Sequence, residues 1–316
     1  MARHSPLHPA VPETAVRGVP DRPLALGLLL SLRPAQWTKN LLVFAGLIFS
    51  RHLFDLSSVL AASEAFVIFC ALSGVVYLVN DVADRDSDRE HPLKRRRPIA
   101  AGAVSVGAAR TAALVLSVGA LAAAFGLGRA FGLIALAYLF LQILYSGVLK
   151  HIVIIDVLTV AIGFVLRAAG GAVAIRVEIS HWLFVCTILL ALFIALAKRR
   201  HELVLLADVA ASHRRILGEY SPYLLDQMIS VVTASTLIAY IFYTISPETT
   251  EKFGTPWLGL TIPFPLYGIF RYLYLVHRRE GGGSPADLLL TDRPLLSCVT
   301  LWILAVVLII YQPTAF

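Results

Sequence analysis

The sequence predicts an all-α membrane protein, a bundle of about nine transmembrane helices. Of its 316 residues, 58% are hydrophobic and only 15% are charged, and the mean hydropathy is +0.77. A water-soluble chain has roughly 25% charged residues, and so large an apolar excess would cover a soluble surface with apolar patches. The apolar residues also fall in runs of about 20, the length that crosses a bilayer as a helix.

Nine runs meet this length criterion, and the first of them is the weakest. No apolar core of the length that a signal peptide needs precedes Leu24. We therefore expect residues 1–31 to be a cytoplasmic tail and 32–316 to be one transmembrane domain. In chain order, the predicted spans are 40–56, 59–79, 107–127, 131–149, 152–175, 181–197, 223–245, 256–276 and 295–311.

The basic residues are distributed unevenly between the connections. Twenty Lys and Arg lie in one alternating set of connections, and four lie in the intervening set. Because Lys and Arg mark cytoplasmic loops, the pattern predicts a cytoplasmic N-terminus and an external C-terminus. The net charge of +7 is then largely a matter of topology, and we expect a lipid bilayer and no nucleic acid as partner.

The most specific feature is the acidic segment 80–88, where the second span leaves the bilayer on the predicted cytoplasmic side. At about 100° per residue, Asp81, Asp84 and Asp88 share one face of a continuous helix. Such close like charges repel unless a cation lies between them, and all-oxygen ligands suit Mg²⁺ with its remaining positions open to phosphate. The segment predicts a Mg²⁺-dependent diphosphate site, with Asn80 either as a neutral oxygen ligand of the metal or as a hydrogen-bond partner of the ligands. The alternative is a solvated helix end.

At these residues the chain resembles the UbiA superfamily of intramembrane prenyltransferases. The first signature of that superfamily, N-D-x-x-D-x-x-x-D, matches residues 80–88. Within the superfamily, the chain is most similar to the decaprenyl-phosphate phosphoribosyltransferases, from about residue 32 to the last span. The matching pieces are 33–40, 77–81, 88–92, 97–102, 149–151, 167–168, 198–203 and 292–293.

A second Asp-rich motif follows the sixth span in most of the superfamily and is altered here. Segment 197–203 has Lys and Arg where Asp is expected and keeps only Glu202 as a carboxylate. The exchange removes metal ligands and adds anion-binding capacity, as expected for substrates with more phosphate groups than a prenyl diphosphate and an aromatic acid.

The resemblance implies the same substrates. The donor would be phosphoribosyl diphosphate and the acceptor a decaprenyl-type polyprenyl monophosphate, with Mg²⁺ as cofactor. The enzyme would act in a bacterial inner membrane, facing the cytoplasm, in the synthesis of cell-wall arabinan or a related glycolipid. A homo-oligomer is compatible with this assignment.

For that reaction the acceptor phosphate is already ionised, so no strong general base is needed. The departing diphosphate requires charge neutralisation. The catalytic candidates are the metal ligands Asp81, Asp84 and Asp88 together with Lys39, and Glu202 is a candidate for a ribose hydroxyl or a second metal. The substrate-binding candidates are Asn80, Lys94, Arg97, Tyr145, Lys150, Lys198, Arg199, Glu202, Asp292 and Arg293.

Two charged residues inside predicted spans are interpreted as structural. Arg167 lies deep in the fifth span, where a charge needs a cavity or a partner, and we expect Asp156 to pair with Lys150 near the cytoplasmic face. Three alternatives stay open from sequence: a UbiA-type enzyme that moves a polyprenyl group from its diphosphate to an aromatic acceptor, a membrane transporter, and an inactive scaffold protein.

Overall fold

The computed structural model describes residues 23–91, 94–178, 180–205, 215–278 and 285–312. In these ranges every regular element is helical, which confirms the all-α prediction. The first 22 residues of the predicted tail lie outside the described residues, and its end forms the first helix. The α-helices are α1 (Leu24–Ser31), α2 (Ala45–Phe49), α3 (Leu56–Ala83), α4 (Arg85–Glu90), α5 (Val106–Leu127), α6 (Arg129–Gly147), α7 (Ile155–Ala174), α8 (His181–Leu205), α9 (Pro222–Ile245), α10 (Pro247–Phe253), α11 (Pro263–Arg278), α12 (Pro285–Thr291) and α13 (Arg293–Tyr311).

Among the described residues, six helices are long and apolar enough to cross a membrane, namely α3, α5, α6, α7, α9 and α13. Within the described ranges, α8 with 25 residues and α11 with 16 are the other long helices. The predicted spans over α5, α6, α9 and α13 match the observed bounds within two residues. The chain is therefore a multi-pass membrane protein, although a count of nine continuous membrane helices is not reproduced.

The first predicted span, 40–56, is wrong as a continuous α-helix. Its place is taken by a 3₁₀ helix, Pro34–Phe44, followed by the five-residue α2. A 3₁₀ run of this length is uncommon, and polar contacts stabilise it: Asn40 is buried and hydrogen-bonded to Ser73 at 3.3 Å. The segment still traverses the bundle, because Arg33 at its start and Arg51 after its end contact opposite ends of the molecule.

Successive long helices from α3 to α9 pack against one another in chain order, and the connections between α5, α6, α7 and α8 are short, as is typical of antiparallel neighbours. This arrangement gathers the C-terminal end of α3, the N-terminal end of α7 and the C-terminal half of α8 at one end of the bundle. We call it the charged end, and it contains Asp81, Asp156 and Arg199. The opposite end, the far end, is marked by Arg51, which donates to the carbonyl of Ile310 at 2.8 Å.

The interior is close-packed where the 3₁₀ segment crosses α7. Gly171 has no space for a side chain, because a Cβ there would overlap the carbonyl oxygen of Val43. On one side, Phe69 and Tyr138 stack edge to face with ring centroids 5.2 Å apart. On the other, α8 and α11 meet through Phe193 in a second apolar core. The helices thus form a rigid frame for the polar side chains at the charged end.

Candidate active site

Two buried carboxylates and two guanidinium groups meet at the charged end. Asp81, on the last turn of α3, accepts from Arg33 at 2.5 Å and from Arg97 at 3.2 Å. Asp88, on α4, accepts from the same Nη1 atom of Arg97 at 2.6 Å. Both carboxylates are only 2% exposed. We call these four residues the Asp–Arg cluster, and its formal charges balance.

The turn after α4 sets the position of Arg97. Gly102 has a φ of 82°, which only glycine adopts without strain, and the turn closes with the Val104 amide donating to the Pro98 carbonyl at 3.1 Å. Arg89 donates to the carbonyl of Ala100 at 3.1 Å and so fastens α4 to this turn. As a result, the side chain of Arg97 lies directly against Asp88 and Asp81.

The three aspartates that the sequence places on one helix face do not converge. Asp84 is exposed, and the described residues contain no group of three or more His, Cys, Asp or Glu that could hold a metal ion. The cause is local: α3 ends at Ala83, Asp84 adopts a φ of −91° and a ψ of 8°, and α4 begins at Arg85. The 100° periodicity is therefore interrupted between Asp81 and Asp88.

The two remaining carboxylates nevertheless suit a divalent cation. Their oxygens approach one common point, which the Nη1 atom of Arg97 occupies within 3.2 Å of both. Mg²⁺ in phosphate-handling sites is usually held by one or two carboxylates, with water and substrate phosphates as the other ligands. Asp81 and Asp88 fit this donor set, and Asn80 is half-buried one residue away from Asp81.

Arg33 is a residue of this site that the sequence interpretation did not include among the candidates. Its guanidinium lies 4.5 Å from the ring centroid of Tyr77 and also binds Asp81. Its backbone is left-handed, with φ 53° and ψ 64°, and it directly precedes Pro34. An L-residue seldom adopts this conformation, and a following proline disfavours helical values further. The sequence feature that could have indicated Arg33 is the Arg-Pro pair just before an apolar segment.

A second charged cluster surrounds Arg199 on α8. Its three nitrogens donate to Asp156 at 2.7 Å, to Glu202 at 2.7 Å and to the hydroxyl of Tyr145 at 3.1 Å. Asp156 is fully buried and also accepts from Tyr220 at 2.8 Å. These contacts fix Glu202 and Tyr145 in place. Phosphate binding by Arg199 stays a prediction, and each of the three nitrogens already has one protein acceptor.

The predicted pair between Asp156 and Lys150 is wrong. Asp156 lies in the first turn of α7, where a carboxylate interacts favourably with the helix N-terminus, and it faces Arg199. Tyr220 connects this cluster to the backbone, because its hydroxyl accepts from the amide of Ile154 at 2.8 Å. Ile154 has a φ of 68°, so the tyrosine holds a strained turn that the sequence did not reveal.

The four lysine candidates are all at least partly exposed. Lys39 is partly buried on the 3₁₀ segment, and Lys150 is half-buried in the turn Leu149–His151. Lys94 is exposed in the turn after α4. Lys198 is 43% exposed and lies 3.8 Å from Glu202. None of these contacts assigns a phosphate to a particular lysine.

Asp292 and Arg293 have structural environments. Asp292 caps α13 by accepting from the amide of Leu295 at 3.0 Å, and it pairs with Arg271 at 2.8 Å. Arg293 is exposed on the first turn of α13. The cap and the ion pair give Asp292 a structural role, and its role as a substrate ligand stays a prediction.

Arg167 lies in the interior with neutral partners. It donates to Asn40 at 2.7 Å, to the carbonyl of Gly163 at 2.9 Å and to Tyr138 at 2.7 Å. Among the described residues no carboxylate pairs with it, although its guanidinium also lies 4.7 Å from the Tyr138 ring centroid. These contacts join α7 to the 3₁₀ segment that carries Lys39 and directly follows Arg33, and they are the structural role expected for Arg167.

Comparison with known proteins agrees with the resemblance seen in the motifs. Residues 39–290 match the UbiA prenyltransferase family. The chain is 34% identical over 298 residues to a decaprenyl-phosphate phosphoribosyltransferase of Corynebacterium glutamicum, covering 92% of this chain and 89% of that protein. It is 35% identical over 294 residues to the protein of the same name from Mycobacterium tuberculosis, covering 91% of this chain and 95% of the relative.

Solved structures share the fold. A UbiA homologue from Archaeoglobus fulgidus bound to DMAPP and Mg²⁺ superposes with a TM-score of 0.70 and 20% sequence identity. The match covers 91% of this chain and all of that one. At this level of identity, the comparison establishes a common helical architecture.

Proposed function

The chain belongs to the UbiA prenyltransferase family, and we propose that it transfers a 5-phosphoribosyl group from phosphoribosyl diphosphate to a polyprenyl monophosphate. The observation that carries this proposal is the similarity to two decaprenyl-phosphate phosphoribosyltransferases along nearly the whole length of both chains. The products are diphosphate and polyprenylphosphoryl-5-phosphoribose. A decaprenyl-type acceptor and a role in arabinan or related glycolipid synthesis follow the same similarity.

The reaction forms a bond between an acceptor phosphate oxygen and ribose C1, and it breaks the bond between C1 and the diphosphate oxygen. The leaving diphosphate keeps the electron pair. Because the acceptor oxygen is already anionic, the protein need not remove a proton. Its tasks are to align the three atoms and to neutralise the charge that grows on the leaving group.

The Asp–Arg cluster supplies that neutralisation in our proposal. Mg²⁺, when bound by Asp81 and Asp88, supplies Lewis-acid stabilisation of the diphosphate. Arg97 uses one of its three nitrogens within the described structure, so its other nitrogens are available for the two-point contact that guanidinium groups make with phosphate. Asn80 and the exposed Asp84 are at most auxiliary ligands from the same segment.

The lysines and the Arg199 cluster complete the proposed site. Lys39, Lys94, Lys150 and Lys198 are the candidates for the 5-phosphate and the lipid phosphate, because each is a cationic side chain that is at least partly exposed. Glu202 and Tyr145 are held by Arg199 and have hydroxyl-binding oxygens, which suit the ribose ring. We further propose that the charged end faces the cytoplasm, in agreement with the excess of basic residues in its loops.

The test uses purified full-length protein in nanodiscs with MgCl₂, decaprenyl phosphate and phosphoribosyl diphosphate labelled in two places. A carbon label in the ribose should enter the lipid phase, and a ³²P label in the β-phosphate should stay in water as diphosphate. EDTA should stop both ribose transfer and diphosphate release, and excess MgCl₂ should restore the two. Absence of ribose transfer, with prenyl transfer from a prenyl diphosphate to 4-hydroxybenzoate instead, would overturn the proposal.

A matched pair of variants tests the site in the same assay. Asp81→Asn should lower the transfer rate by at least about a hundredfold, the loss typical of a missing charge-stabilising group. Asp86→Asn is the control, because Asp86 lies on α4 with a side chain that is 92% exposed. Its rate should equal that of the wild type. Equal rates in the two variants would remove Asp81 from the site.

A further inference from the structure

The Asp–Arg cluster is fully charge-balanced without any ligand. Two buried carboxylates face two guanidinium groups, and one nitrogen of Arg97 lies within hydrogen-bond distance of both Asp81 and Asp88. A cation that served both carboxylates would have to lie at this same point. Because two positive groups at one point repel each other, Arg97 and a divalent cation exclude one another there.

The positions of Arg33 and Arg97 allow their side chains to move away from the two carboxylates. Their side chains are 29% and 27% exposed, whereas Asp81 and Asp88 are almost completely buried. The carboxylates are therefore fixed, and the guanidinium groups lie between them and solvent. Each arginine also keeps nitrogens that have no hydrogen-bond acceptor among the described residues, so each has donors ready for a further anion.

The backbone at Arg33 gives a second, independent indication. The left-handed conformation before Pro34 is strained, and such strain persists only where surrounding contacts maintain it. Here the contacts are the short ion pair with Asp81 and the stack on Tyr77. Loss of the ion pair leaves the stack, so the guanidinium keeps a platform next to the site when it releases Asp81.

We propose that Arg33 and Arg97 are exchangeable counter-ions: they occupy the cation position beside Asp81 and Asp88 without ligand, and transfer to the donor's diphosphate when it binds with Mg²⁺. The identity of the donor rests on the proposed function. Metal and diphosphate then bind with strong positive coupling. The metal neutralises the carboxylates that the arginines leave, and the diphosphate binds the arginines that the metal displaces. Arg33 becomes a diphosphate ligand, and the carboxylates have low affinity for metal alone.

The proposal predicts opposite effects on two binding constants. Replacing Arg33 with Gln removes one of the two guanidinium groups that compete with a metal for Asp81, so the affinity for a metal alone should rise about tenfold, while the affinity for diphosphate should fall about tenfold. A purely structural ion pair would lower both affinities or neither. Arg33→Lys retains the charge without the planar fork, and should leave metal affinity near the wild-type value but weaken diphosphate binding.

The experiment measures binding, without turnover. Free Mn²⁺ is followed by electron paramagnetic resonance as purified protein in nanodiscs is titrated with MnCl₂ alone. The dissociation constant of ³²P-labelled inorganic diphosphate is then determined at saturating MgCl₂. Wild type, Arg33→Gln, Arg33→Lys and Arg97→Gln are compared with Arg110→Gln, an exposed basic residue on α5. Thermal unfolding of each variant verifies that it is folded.

Opposite shifts in Arg33→Gln, with Arg110→Gln unchanged, support the exchange. Unchanged metal affinity in both Arg33→Gln and Arg97→Gln, or a parallel loss of both affinities, overturns it. Because no ribose transfer is measured, these outcomes differ from a failure of the proposed function. Opposite shifts without phosphoribosyl transfer would leave the exchange intact and reassign the donor to another diphosphate.

Discussion

Asp156→Asn is expected to destabilise the protein through Arg199, and not through loss of a substrate contact. Asp156 is fully buried and accepts two hydrogen bonds, at 2.7 Å from Arg199 and 2.8 Å from Tyr220. Removing one partner of a buried ion pair typically costs 3–5 kcal/mol, because the other charge loses its compensation. Glu202 still contacts Arg199 at 2.7 Å, so we expect the lower value, about 3 kcal/mol.

The loss is measured as the midpoint of thermal unfolding, followed by tryptophan fluorescence in detergent. For a chain of 316 residues, about 3 kcal/mol corresponds to a decrease of about 5 °C. A double-mutant cycle with Arg199→Met identifies the source. If the two residues act as a pair, the double variant should be more stable than the sum of the single effects predicts, by about 1–3 kcal/mol.

Two results would refute the reasoning. An unfolding midpoint unchanged in Asp156→Asn would mean that Arg199 does not depend on this carboxylate. Strictly additive losses would mean that the two residues stabilise the protein separately. In either case Arg199 would be free to act as the phosphate ligand that the sequence predicted, and its donor KM should then rise in Arg199→Met without a matching loss of stability.

Three further outcomes are expected. Burial raises the pKa of Tyr220 from 10.0 to about 12. Because the unfolded chain loses this proton at lower pH than the folded protein does, the free energy of unfolding should fall between pH 10 and 12. In Tyr220→Phe the same pH series should show a less steep fall. Asp292→Ala removes the N-cap of α13 and should lower the free energy of unfolding by about 1 kcal/mol, with an unchanged donor KM. Arg167→Lys loses the fork that contacts Asn40 and should cost about 2 kcal/mol, measured by the same thermal assay.

Each outcome has its contrary result. Parallel pH profiles in wild type and Tyr220→Phe would show that another group titrates in this range. An increased donor KM in Asp292→Ala would return Asp292 to the substrate site. Wild-type stability in Arg167→Lys would mean that the charge alone, without its directed hydrogen bonds, maintains the interior.

Hydropathy was sufficient to predict most of the helices. The runs over α5 and α9 were located to within a residue, because apolar length and capping agree: Ser105 and Ser221 each accept from an amide three residues on, at 3.1 Å. Hydropathy predicted a continuous α-helix over 40–56, which is wrong. It depends only on apolar side chains, whereas hydrogen bonds of Asn40 stabilise a 3₁₀ segment there.

The site was predicted in part. The acidic segment indicated Asp81 and Asp88, but the shared face assumed a continuous helix, and the end of α3 at Ala83 removed Asp84 from the group. The sequence predicts phosphate binding by Arg199, because its partner Asp156 is 43 residues away and the ion pair between them is not visible in the local pattern. A long-range ion pair of this kind neutralises a charge within the fold, whereas the neighbouring sequence gives no sign that the charge has a partner.

Arg167 has one further consequence for a protein that crosses a membrane. It is the thirteenth residue of α7, about 18 Å from the first residue of that helix. Asn40, Tyr138 and Ser73 form a hydrogen-bonded row with it in the bundle interior, so polar groups of the protein solvate a charge at membrane depth. Without these groups the guanidinium would meet hydrocarbon, which costs several kcal/mol. The side chain that joins α7 to the 3₁₀ segment thus couples the assembly of these two elements within the membrane.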